Sequence, residues 1–89
     1  MIYYINSGSA YEEYDTNEYS LDDILARAFV VGNHTCISAD VANDDTGECY
    51  HVNYRSGKIA NDNTKEVIGY ISKDIIEKFG VSPTNEETK

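Results

Sequence analysis

The stretch that decides the fold is Ile37-Ser38-Ala39-Asp40-Val41-Ala42-Asn43-Asp44-Asp45-Thr46-Gly47-Glu48-Cys49-Tyr50-His51-Val52-Asn53-Tyr54. Ile37, Ala39 and Val41 alternate along its first part, and Tyr50, Val52 and Tyr54 along its last, which is the period of half-buried strands. Turn-forming residues, Asn43 to Gly47, lie between them. Pairing Asn43 with Glu48 sets Val41 opposite Tyr50, Ala39 opposite Val52 and Ile37 opposite Tyr54. Each apolar residue then meets an apolar partner on one face. The same register places Asp40 beside His51, Cys49 beside Ala42 and Cys36 beside Arg55.

A hairpin with one apolar face needs cover, and the flanking segments supply it. Ser20 is placed to cap a helix with Asp22 and Asp23 in its first turn, where carboxylates suit the helix dipole. Leu21, Ile24, Leu25, Ala28 and Phe29 recur at helical spacing, predicting a helix over 21–31 with Gly32 just past its end. Upstream, Ile2 to Asn6 reads as a strand closed by Ser7-Gly8-Ser9. Tyr11 to Tyr19 lacks helical periodicity and reads as a loop or an exposed extended segment. Downstream, Arg55-Ser56-Gly57-Lys58 reads as a turn into a short strand, Lys58 to Ala60, followed by loop and a strand over Glu66 to Ile71. Ser72 then caps a short helix, Lys73 to Phe79, stopped by Gly80 and Pro83.

The order β-α-β-β-(β)-β-α predicts an α+β domain over residues 1–81, an antiparallel sheet with both helices on one face, and a polar tail over 82–89. No internal repeat stands out. Eighty-nine residues, 40% of them hydrophobic, suffice for one modest core. No apolar run approaches a membrane span and no signal peptide is visible, so a cytoplasmic protein with reduced cysteines is expected.

Charge is distributed unevenly. Met1 to Tyr54 holds ten carboxylates and one base, Arg27, whereas Arg55 to Lys89 holds six of each, so the whole net charge of −9 lies in the first part. A field of one sign attracts basic partners and repels phosphate, which disfavours direct nucleic-acid binding. The densest acidic segment is Tyr11-Glu12-Glu13-Tyr14-Asp15-Thr16-Asn17-Glu18-Tyr19. In an extended chain Glu13 and Asp15 share a face about 6–7 Å apart, of the same order as neighbouring phosphates. Tyrosine adds contact area at low entropic cost. The candidate partner-binding set is therefore Tyr11, Glu12, Glu13, Tyr14, Asp15, Glu18 and Tyr19, extended by Asp22, Asp23, Asp44 and Asp45.

Other chemistry is less well supplied. His34, Cys36, Cys49 and His51 are the right types for zinc, but the hairpin register holds the thiols about 20 Å apart, too far for a shared metal or a disulfide. The Asn43–Glu48 segment fails the EF-hand pattern because its glycine comes one position early. No phosphate-loop, dinucleotide or nucleophile-elbow motif appears, so no enzyme activity and no cofactor are expected.

In size, acidity and layout the chain resembles phage-encoded anti-CRISPR and anti-restriction proteins, short acidic α+β domains that block a nucleic-acid-binding protein. The resemblance implies a monomer or small homo-oligomer in the host cytoplasm. It implies a basic partner such as a CRISPR effector or a restriction enzyme. Two alternatives are a small zinc-binding regulatory module built on His34, Cys36, Cys49 and His51, and a viral structural or assembly protein.

Overall fold

A computed structural model describes residues 1–71 of the chain. The elements are β1 (Ile2–Ser7), β2 (Ala10–Asp15), α1 (Leu21–Thr35), β3 (Ala39–Ala42), β4 (Cys49–Val52), β5 (Lys58–Asn61) and β6 (Glu66–Tyr70). The strands form one antiparallel sheet in the order β2-β1-β3-β4-β5-β6. Alternation decides which face is buried: Tyr3, Ile5 and Ser7 of β1, Ala39 and Val41 of β3, Tyr50 and Val52 of β4 and Ile59 of β5 all point to one side. Ile24, Leu25, Ala28, Phe29 and Val31 of α1 cover them, with Phe29, Ile5, Val41 and Val52 inaccessible to solvent. The class is α+β with a single described helix on one face of the sheet.

The central hairpin has the expected register, with Ala39 opposite Val52, Asp40 opposite His51 and Val41 opposite Tyr50. Its strands are shorter than the alternation suggested. Ile37 and Tyr54 fall outside them, and Ile37 is half exposed. Of the two readings of Tyr11–Tyr19, a loop or an exposed extended segment, its start takes the extended one. Gly8 and Ser9 make a two-residue turn, and β2 pairs with β1 over six residues, from Ser7–Ala10 to Ile2–Asp15. The helix also runs past the expected end at residue 31. Gly32 lies inside it because a Cβ there would come within 2.9 Å of the Ile37 carbonyl oxygen and 3.2 Å of Tyr54 Cβ. Cys36, with a left-handed φ of 62°, ends the helix and donates its N–H to the Gly32 carbonyl. Cys36 is therefore a helix cap and does not sit in a strand opposite Arg55. The expected helix Lys73–Phe79 and the tail 82–89 lie outside the described residues.

One repeat does exist. The β3–β4, β4–β5 and β5–β6 turns begin at Asn43, Asn53 and Asn61, each followed three residues later by Thr46, Ser56 or Thr64. Each Asn Oδ1 accepts backbone N–H groups two and three residues on, at 2.7–3.4 Å. Each hydroxyl accepts the N–H two residues further, at 3.2–3.3 Å. The residue at the fifth position is left-handed in all three, with φ of 78° at Gly47, 76° at Gly57 and 67° at Lys65. Side chains thus satisfy the turn amides that no strand reaches.

Lys65 occupies a position where the other two turns have glycine, and a left-handed backbone costs a non-glycine residue about 1–2 kcal/mol. Lys65→Gly is expected to leave stability unchanged or raise it by up to about 1 kcal/mol, the gain being reduced by the freer unfolded chain, whereas Gly47→Ala lowers it by about 1 kcal/mol. The midpoints of urea unfolding compare the two directly.

Candidate docking surface

The sheet face opposite α1 is not covered by any described element, and parity determines what stands on it. Tyr4 and Asn6 of β1, Tyr11, Glu13 and Asp15 of β2, and Asp40 and His51 of the central hairpin all point to this side. Tyr4 and Tyr11 lie diagonally across β1 and β2 and stack at 5.9 Å between ring centres, 23° from parallel. The Tyr11 hydroxyl donates to Glu13 Oε2 at 2.9 Å. The β3–β4 turn holds Asp44 and Asp45 near enough for both charges to act on Tyr4 and for that of Asp44 to act on Tyr11. Loss of hydration and then the carboxylates of Asp44, Glu13 and Asp45 raise the Tyr4 phenol above its ordinary value. Loss of hydration, the hydrogen bond to Glu13 and the nearby charges push Tyr11 up to about 12. Both phenols therefore stay neutral donors at physiological pH, surrounded by carboxylates.

Chain direction concentrates charge at one end of the sheet. The start of β1, the end of β2, the first turn of α1 and the β3–β4 and β5–β6 turns all lie there. That end carries Asp15, Glu18, Asp22, Asp23, Asp44, Asp45, Glu48, Asp62 and Glu66, nine of the twelve carboxylates among residues 1–71. Asn63 ties the two turns together, donating to the Gly47 carbonyl at 3.1 Å and accepting the Cys49 N–H at 3.1 Å. The opposite end, formed by residues 7–10, 34–38 and 53–58, carries Arg55 and Lys58 and no carboxylate.

The expected site residues therefore divide. Tyr11 and Glu13 stand on the open face, and Asp44 and Asp45 lie in the β3–β4 turn, with Asp44 near enough for its charge to act on Tyr11. Asp15, Glu18, Asp22 and Asp23 lie at the acidic end, where Ser20 caps α1 through a hydrogen bond from the Asp23 N–H. Glu12 and Tyr14 point the other way. Glu12 is chelated by Arg27 Nε at 2.8 Å and Nη2 at 2.7 Å and accepts the Tyr14 hydroxyl. Tyr14 in turn meets Tyr19 edge to face, with ring centres 5.1 Å apart. Glu12 is half-buried and its charge is already met by Arg27. Tyr4 is the residue that the sequence reading missed. Its signal was the neighbouring Tyr3, since only one of two successive strand residues can face the core.

The zinc quartet does not assemble. Cys36 caps α1, His34 stands on the helix, and His51 Nδ1 is 2.9 Å from Asp40 Oδ1. Cys49 contacts Asp62 at 3.8 Å, and burial with the nearby carboxylates raises its thiol. Among the described residues no three His, Cys, Asp or Glu side chains are placed to hold a metal. A cavity of about 320 Å³ lies between β2 and α1, lined by Ala10, Glu12, Arg27, Val30, Val31, His34 and Thr35. No helix among the described residues is long and apolar enough to cross a membrane. No protein-family model, curated protein or solved structure matches the chain.

The Arg27 contact holds the Glu12 carboxyl below its ordinary value of 4.5. A depressed carboxylate contributes stability that is present above its unfolded value and lost as pH falls through the folded one. Glu12→Gln is expected to lower stability at pH 7 by about 1 kcal/mol and to flatten the loss of stability below about pH 4.5. Urea titrations of both proteins between pH 3 and 7 check the slope.

Proposed function

We propose that this chain is a non-catalytic inhibitory protein that docks its open sheet face and adjoining acidic end on the basic nucleic-acid-binding surface of a target protein. The observation that carries this reading is the meeting of Glu13, Asp44 and Asp45 around the stacked Tyr4 and Tyr11. These residues come from three separate segments, and the core does not require any of their side chains on that side. Carboxylates fixed on a sheet stand where a groove lined with Lys and Arg expects phosphates, and the field of the acidic end speeds encounter. The two phenols supply rigid contact area and hydroxyl donors in the middle of the charged patch.

The target is a host protein that handles DNA or RNA, of the kind that anti-CRISPR and anti-restriction proteins block, a CRISPR effector or a restriction enzyme. The site of action is then the host cytoplasm. The inhibitor competes with nucleic acid for one surface and does not bind nucleic acid itself.

A host protein retained on the immobilised chain and eluted by rising salt provides the target. Nucleic acid binding to that target is expected to fall as the inhibitor is added and to recover with excess nucleic acid. The fourfold variant Glu13→Lys, Asp15→Lys, Asp44→Lys, Asp45→Lys is expected to lose at least 100-fold in affinity while its circular dichroism is unchanged. Full inhibition by that folded variant would overturn the proposal.

A further inference from the structure

No described strand pairs with the outer edge of β2, and the geometry of that edge selects a particular occupant. The two-residue turn at Gly8-Ser9 makes Ser7 and Ala10 a hydrogen-bonded pair, and the Thr16 N–H bond to the Met1 carbonyl at 2.9 Å ends the same ladder. Ala10, Glu12 and Tyr14 therefore aim their backbone groups at β1. Tyr11 and Glu13 aim theirs outward, where no described strand meets them. The Asp15 carbonyl is already taken by the N–H groups of Glu18 and Tyr19. The β1–β2 register is continuous over six residues with no bulge, so this edge is a regular template for another strand.

From these features we infer that β2 accepts an extended segment of the target as an added strand, one whose basic residues alternate with aliphatic residues. Side chains of an added strand alternate between the two faces. On the open face they come beside Tyr11 and Glu13, where Lys or Arg is complementary. On the other face they lie over the cavity between β2 and α1, against Ala10, Val30 and Val31, where an aliphatic group fits. The Glu12–Arg27 pair closes one side of that cavity and is already satisfied, so it does not call for a charged side chain there. A second copy of this chain is the wrong occupant, because antiparallel pairing of two β2 edges gathers Glu13 and Asp15 of both strands on one face with no base from either β2 among them.

This inference rests on the acidic docking proposal and adds its mode of contact. The test uses the full chain and two nine-residue amidated peptides of equal composition, one alternating Lys and Val and one with all lysines before all valines. The alternating peptide is expected to bind at least tenfold more tightly and to slow amide exchange of Tyr11 and Glu13 at least tenfold. Failure of the alternating peptide to bind, equal affinity of the two peptides, or unchanged Tyr11 and Glu13 exchange in the complex would overturn strand addition. If the two peptides bind alike and both weaken on Asp44→Lys with Asp45→Lys, acidic docking stands and only the strand mode fails.

Discussion

Ile5 and Val41 stand opposite each other on neighbouring strands, with Val52 on the next, and Phe29 of the helix covers the same face. This one-sided burial is the constraint on which the rest of the structure depends. Once these residues face α1, parity sends Tyr4, Tyr11, Glu13, Asp40 and His51 to the other side of the sheet, whatever their own preferences. The acidic face is in this sense a consequence of the core. The chain places its carboxylates where the core's alternation leaves them exposed.

Glu12 shows the same rule from the opposite direction. It occupies a β2 position that faces the helix, so its charge needs a partner, and Arg27 supplies two hydrogen bonds. The single base of the acidic part of the chain is thus spent on the single β2 carboxylate that points inward. On the open face Asp15 lies 3.7 Å from the N-terminal ammonium and Asp40 pairs with His51, while Glu13 has no base beside it among the described residues. This arrangement favours a surface that selects basic partners over one that merely keeps the protein soluble.

Much of the fold could be read from the sequence where the signal was local. The register of the β3–β4 hairpin followed from matching apolar residues around a turn, and the Ser20 cap from its place before the helical stripe. What was not legible depended on contacts between distant residues. The Tyr11–Tyr19 stretch reads as either a loop or an exposed extended segment, and the choice between them was not legible because the inward Glu12 and Tyr14 become core-facing only through Arg27, fifteen positions beyond Glu12. Gly32 looked like a helix end because its need for a bare Cα comes from Ile37 and Tyr54 after folding. The triple Asn turn was present in the sequence at positions 43, 53 and 61, but its unequal spacing and the lysine at 65 hid it. Of the candidate site, the acidic residues were legible as a set, and their division between two faces was not.

With the open face as the proposed docking site, mapping the footprint of a bound target on the amide spectrum tests the proposal most directly. The largest changes are expected on Tyr4, Tyr11, Glu13, Asp44 and Asp45, with α1 beyond its first turn little affected. A footprint centred on the far end of α1 around Asn33 and His34, with Tyr4 and Tyr11 unchanged, would contradict it.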